Sequence, residues 1–250
     1  MTHPGTALIT GASSGIGAAT AGRLAAAGYD LLLTARRAER LRVLEDELGG
    51  AHSVKVHTAP LDLDRPHDVP AAVAELIGAA PSPLRTAVLA AGHGRGAGPV
   101  READAAHWES QVLVNLLAPM LMTRALLPVL DRAGGHLVIV GSVFGTTAAP
   151  GYSAYAATKH GLRGFLHSVA AEERPLGGCR ITLVSPGSTN TEFASVLAGA
   201  DMPRVHAVTD WPYHPLLPDD VARTIEWVLT QPPHVHLPEI TIDPTDARYQ

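Results

Sequence analysis

The sequence predicts an α/β fold, a parallel sheet with helices on both faces. Three observations predict it. Short apolar runs alternate with helix-favouring stretches along the 250-residue chain. The first run ends in a glycine-rich turn that opens a helix. No repeat, linker or low-complexity stretch interrupts the alternation, so residues 1–250 read as one domain.

Taken in order, Ala7–Thr10 is a short apolar strand, and the Ala-rich stretch Gly15–Ala27 is a helix. Tyr29–Thr34 is a second strand. Arg37–Leu48 is amphipathic, with Leu41, Leu44 and Leu48 on one face and Gly49-Gly50 as its stop. Val54–Ala59 alternates like a third strand, and His67–Ile77 is helical. Thr86–Ala90 is a fourth strand before the glycine-rich loop 92–98. Asp104–Leu130 is a long helical stretch in which Pro119 and Pro128 predict kinks or breaks. Leu137–Val140 is the fifth strand, Ser153–Glu173 a helix and Ile181–Val184 the sixth strand. Residues 188–217 are rich in Ala, Pro and His without periodicity, as expected of a binding loop. Asp219–Leu229 and Glu239–Ile242 read as the last helix and strand.

Composition narrows the function. At 46% hydrophobic and 17% charged residues, the chain can build a large core and is not disordered. A net charge of −5 without a basic run argues against nucleic acid and anionic membranes as partners. No apolar run reads as long enough to span a bilayer. Cys179 is the single cysteine, so no internal disulfide forms and a reducing, cytoplasmic setting is expected. It precedes an apolar run, which favours packing over reactivity. The first residues, Met1–Gly5, lack the pattern of a signal peptide. Scattered histidines and the absence of a Cys/His cluster give a metal site little support.

The turn Gly11-Ala12-Ser13-Ser14-Gly15-Ile16-Gly17 lies between a strand and a helix. Gly11 permits a tight turn, and Gly15 and Gly17 let an anion and the sheet approach the helix N-terminus. Amides and dipole there favour a phosphate. The second strand ends in Thr34-Ala35-Arg36-Arg37, with no carboxylate for a ribose 2′-hydroxyl. Two guanidiniums suit a 2′-phosphate, so NADP(H) is expected over NAD(H); they can also be read as solvated charges at a helix start.

Tyr155 and Lys159 stand four residues apart, on one face of a helix. Ser142 follows the apolar run 135–140. A hydroxyl, a phenol and an ammonium converging on one point suit proton exchange with an alcohol or carbonyl oxygen. The ammonium is expected to lower the phenol's pKa from about 10.

These residues together resemble the short-chain dehydrogenase/reductase family in its single-domain form. The resemblance rests on Thr10-Gly-x-x-x-Gly-x-Gly17, Asp62, Ala91-Gly92, Asn115, Ser142, Tyr155-x-x-x-Lys159 and Pro186-Gly187…Thr191, and runs over nearly the whole chain. It implies a Rossmann-like, doubly wound sheet of seven parallel strands in order 3-2-1-4-5-6-7, and hydride transfer at the nicotinamide. It implies Tyr155 as general acid/base and Ser142 as the group orienting the carbonyl. Lys159 would lower the Tyr155 pKa and bind the nicotinamide ribose, and Asn115 would hold a water in a proton relay. Asp62 and Leu63 would meet adenine, Ala90, Ala91 and Gly92 the adenosine side, and Pro186, Gly187, Thr189 and Thr191 the nicotinamide end. A helix cap for Asp62, a satisfied amide for Asn115 and a plain turn for Pro186-Gly187 are the bland alternatives. The family implies a homotetramer or homodimer as well. One departure is Leu89-Ala90-Ala91-Gly92, where the family carries Asn before Ala-Gly; a looser loop is expected.

Phosphate binding then rests on Arg36, Arg37 and Ser13 around the turn residues Gly11, Ser14, Gly15, Ile16 and Gly17. The substrate is a small carbonyl or alcohol compound, with Phe144, Tyr152 and Trp211 as wall candidates beside Ser142 and Tyr155. These aromatics could equally pin the loop to the core. The activity expected is an NADP(H)-dependent oxidoreductase; the alternative is a catalytically silent NADP(H)-binding regulator.

Overall fold

A computed structural model describes residues 3–193 and 214–247. Seven parallel strands form one sheet in the order β3-β2-β1-β4-β5-β6-β7. They are β1 (Thr6–Thr10), β2 (Asp30–Ala35), β3 (Val56–Pro60), β4 (Leu84–Leu89), β5 (His136–Val140), β6 (Arg180–Pro186) and β7 (Glu239–Ile242). The helices are α1 (Gly15–Ala26), α2 (Ala38–Ala51), α3 (Val69–Gly78), α4 (Ala105–Val112), α5 (Ala118–Ala133), α6 (Ser153–Glu173) and α7 (Pro218–Leu229).

Successive strand residues face opposite sides of the sheet. Leu31 and Leu33 join Ala7, Ile9, Val138 and Val184 against α1, α2 and α7. Leu32 joins Leu8, Leu137, Ile139 and Leu183 against α3, α5 and α6. Both faces are therefore dry, which is why the central strands read as unbroken apolar runs. The order reverses direction between β1 and β4. The loops leaving these two strands part there, and the carboxyl ends of the strands open a crevice.

Three details depart from expectation. Gly49 and Gly50 do not stop α2, which continues to Ala51. Neither glycine adopts a positive φ, and a helix tolerates glycine in its last turn at a cost of about 1 kcal/mol each. The long helical stretch divides into α4, a π-helical turn over Leu113–Leu117, and α5. Pro119 begins α5 and lacks the N–H that would bond the Asn115 carbonyl four residues back, so the turn widens there. Pro128 is carried inside α5 without ending it. Finally, Ala105–Ala133 is long and apolar enough to cross a membrane by length and composition, contrary to the sequence reading. Its Ala118, Met122, Leu126 and Leu130 are buried against the sheet, and a core-facing helix is as apolar as a span. Cys179 is buried as expected, which pushes its thiol up to about 12.

Candidate active site

The glycine turn sits at the end of β1, where the crevice opens. Gly15 has a φ of +54°, and a Cβ there would stand 3.2 Å from the Thr191 side chain. Gly17 would place a Cβ 2.4 Å from the Gly11 carbonyl oxygen. The first turn of α1 thus packs directly on the loop, its leading amides at the crevice. The loop after β4 is held from β1: the Thr10 hydroxyl accepts from the amides of Ala90 and Ala91, both at 3.1 Å. This tie steadies the Leu89-Ala90-Ala91-Gly92 segment without the missing asparagine.

The two arginines after β2 diverge. Arg37 donates from Nε and Nη2 to Ser13 Oγ at 3.1 and 3.0 Å, and from Nη2 to Ser14 Oγ at 2.7 Å. Its Nη1 donates to Glu192 at 2.7 Å, and Arg40 reaches the other oxygen of the same carboxylate. These guanidiniums hold the Glu192 carboxyl down at about 2. Arg36 turns instead to Asp64, at 3.5 Å. Arg37 thus faces the two serines, and Arg40 joins it on the Glu192 carboxylate. Arg40 and Glu192 escaped the sequence reading. Arg40 stood in view three residues after Arg37, one turn along α2, whereas Glu192 is remote in sequence.

Asp62 is exposed, and its carboxylate accepts from the Asp64 amide at 3.2 Å, a local turn bond that leaves it at the crevice edge. Leu63 is buried beside it. Asp64 continues inward: Ser110 donates to it, and Ser110 pairs with His93 Nε2 at 2.9 Å. Burial lowers His93 to about 4, so the ring is neutral.

Asn115 lies in the π turn and is buried. Its side chain accepts from the His93 amide at 2.9 Å and donates to the His93 carbonyl at 2.7 Å. The side-chain amide thus fixes the β4 loop, and it reaches α6 through Thr158 at 3.4 Å as well.

Tyr155, Lys159 and Ser142 converge between β5 and α6, all buried. Lys159 donates to the Val140 carbonyl at 2.9 Å, and its Nζ lies 5.7 Å from the centroid of the Tyr155 ring. Burial pushes Tyr155 up to about 12, opposed by its hydrogen bond with Ser142. Burial also brings Lys159 down to about 8. The expected lowering of the phenol by the ammonium is not what this arrangement gives, because Lys159 engages a carbonyl and desolvation dominates. Tyr155 therefore holds its proton near neutrality, the form needed to donate to an oxygen gaining charge.

At the far end, Pro186 closes β6 and the Gly187 amide bonds Ile242 at 2.8 Å. The Thr189 hydroxyl donates to the Gly187 carbonyl at 2.9 Å, and Thr189 bridges Leu216. Thr191 leans over Gly15, bringing the segment after β6 across the glycine turn. Aromatic rings gather at Tyr155. Phe144 meets it edge-on at 6.2 Å, Phe193 packs at 5.3 Å, and Tyr152 packs on Phe144 at 5.1 Å. Phe193 went unread in the sequence because nothing local tied it to the Tyr–Lys helix. Trp211 lies outside the described residues.

The residues present fit a dinucleotide phosphate. The glycine at 15 leaves open the space that a Cβ would fill, and Arg37 with Arg40 already holds an anion, the Glu192 carboxylate. Comparison with known proteins agrees. Residues 5–200 match the short chain dehydrogenase family. The chain is 37% identical to sulfoacetaldehyde reductase 2 of Chromohalobacter salexigens over 95% of this chain and 93% of that protein. Two solved structures superpose with a TM-score of 0.86. One is an alcohol dehydrogenase from the archaeon Thermococcus sibiricus complexed with 5-hydroxy-NADP, 27% identical, covering 98% of this chain and 99% of that one. The other is the closed form of serine dehydrogenase complexed with NADP+, 30% identical, covering 98% and 96%. This chain belongs to the short chain dehydrogenase family.

Proposed function

We propose that this short chain dehydrogenase interconverts a carbonyl and an alcohol with NADP(H), and that Tyr155 exchanges the proton. The observation that carries the roles is the meeting of Tyr155, Ser142 and Lys159 between β5 and α6, with the Lys159 ammonium next to Gly92 of the loop after β4. Bound NADPH supplies the hydride. The turn amides at Ser14, Gly15, Ile16 and Gly17 would hold the pyrophosphate, and Arg36, Arg37 and Ser13, with Arg40, the 2′-phosphate. Asp62 and Leu63 would meet adenine, Ala90, Ala91 and Gly92 the adenosine side, and Pro186, Gly187, Thr189 and Thr191 the nicotinamide end. Ser142 orients the substrate oxygen and Tyr155 donates its proton. The Lys159 ammonium, buried near the ring, stabilises the phenolate left behind.

The related proteins are named for sulfoacetaldehyde and serine, both short and polar. We therefore place the substrate among short aldehydes and hydroxy acids, with Phe144, Tyr152 and Phe193 shaping the wall. The single sheet supports one domain, and the substrate loop is assigned to the stretch near 188–217 on its composition alone. Family membership supports a homotetramer or homodimer, to which the exposed Val112 of α4 could contribute, and the single cysteine of the sequence supports a cytoplasmic setting. The test is NADPH oxidation against short aldehydes, sulfoacetaldehyde included, and NADP+ reduction with serine and 3-hydroxy acids. Turnover on any member of the panel meets the proposal; NADPH binding without turnover on a broad panel would leave only the regulator.

A further inference from the structure

We propose that Glu192 is a specificity-determining residue, competing with the cofactor's 2′-phosphate for Arg37 and Arg40 and so narrowing the preference for the phosphorylated cofactor. The proposal rests on the NADP(H) reading above. Arg37 spends Nε and Nη2 on Ser13 and Ser14 and directs Nη1 at Glu192, so the carboxylate sits on the donor edge that an incoming phosphate would use. Arg40 binds the second oxygen of the same carboxylate. A carboxylate clamped between two guanidiniums uses the same donors, in the same charge-assisted way, as a phosphate would. The two anions cannot share the pair without repelling each other.

The remainder of the geometry says why the competition is one-sided. Glu192 follows Thr191, which already lies over Gly15, and the backbone behind it is anchored where Asn190 and Ser188 bond Leu216 at 2.8 and 2.9 Å. The carboxylate is thus delivered from the nicotinamide end of the crevice to the adenosine end by a fixed stem. Its side chain is 47% exposed, so it can leave for solvent without opening the core. A ribose hydroxyl, by contrast, need not displace it. A carboxylate accepts a hydroxyl hydrogen bond, the part an acidic residue at the end of the second strand plays for unphosphorylated ribose. The 34–37 segment has no such residue, and Glu192 supplies one from a distant element.

The experiment is titration calorimetry with adenosine 2′,5′-bisphosphate and adenosine 5′-monophosphate, on the wild-type chain and on Glu192→Gln. Both probes lack nicotinamide, so effects at the other end of the segment stay out of the measurement. Freed of its competitor, the variant should prefer the bisphosphate by a ratio at least about fivefold larger than wild type does. NADPH against NADH should shift the same way. A ratio unchanged in Glu192→Gln, with wild type still favouring the bisphosphate, overturns the proposal and leaves the NADP(H) reading standing. A smaller ratio also overturns it, since Glu192 would then be bracing Arg37. If neither wild type nor Glu192→Gln prefers the bisphosphate, both readings fall.

Discussion

Tyr155 sits between two rings and a hydroxyl, and each neighbour limits what the phenol can do. Phe144 and Phe193 fix the ring, while Ser142 touches the oxygen. Tyr155→Phe keeps the ring contacts and deletes only the proton donor. Turnover should fall by about 10²- to 10⁴-fold while NADPH affinity, read by fluorescence titration, stays within error. A variant that keeps wild-type kcat would remove Tyr155 from the chemistry. The pH profile offers a second check on the same group. Lys159 is drawn down to about 8, so its charge disappears well below the point where the phenol at about 12 would ionise. The phenolate formed during carbonyl reduction then loses its cation. Reduction kcat should decline as pH rises through about 8, and a plateau extending to pH 10 would contradict that.

Among the elements, the π turn between α4 and α5 has the most specific sequence cause. Pro119→Ala restores an N–H opposite the Asn115 carbonyl and favours a regular α-helical ladder. That would rotate Asn115 away from the His93 backbone. The expected result is a kcat loss of about ten- to a hundredfold with no loss of thermal stability. Equal kcat would mean that the turn places nothing. The strands were legible from the sequence because both sheet faces are dry, and the Gly15-x-Gly17 turn because only small residues allow that packing. The π turn was legible only as a break. A proline shows that the ladder fails, but not whether it kinks, stops or widens. The partners of Arg37 were hidden for a different reason: Glu192 is brought there by chain topology, which no local pattern encodes. The reading that no run is long enough to span a bilayer missed Ala105–Ala133, because its apolar residues are interleaved with polar ones and only continuous helix over both halves gives the length.

At the scale of the whole molecule, buried imidazoles set how the fold answers to acid. His136 begins β5, and its Nε2 pairs with the Thr182 hydroxyl at 2.8 Å. That hydroxyl donates onward to the Leu237 carbonyl, so Nε2 carries the hydrogen and the buried Nδ1 has no partner. Burial, with Arg180 nearby, lowers His136 to about 3 from 6.5. Between those values the unfolded chain binds more protons than the folded one, so stability falls as pH drops from about 6.5 toward 3. Urea titrations across that range should show a shallower acid loss for His136→Gln than for wild type. His93, with the same sign of shift, keeps the remainder of the slope. Identical slopes would exclude His136 as a source. Assembly is checked separately: light scattering should report a dimer or tetramer, and a stable monomer would refute the oligomer.

The hydrogen bonds joining Ser188 and Asn190 to Leu216 make a clasp, with the outgoing and returning chain held side by side. Whatever stretch is strung between those points departs from and comes home to the same place. Lengthening or swapping it costs only the slowly growing entropy of a longer closed ring. Pro186 and Gly187, which precede the clasp, would keep their positions throughout. New substrates can be tried by grafting between Phe193 and Leu216, within the segment proposed to serve the substrate.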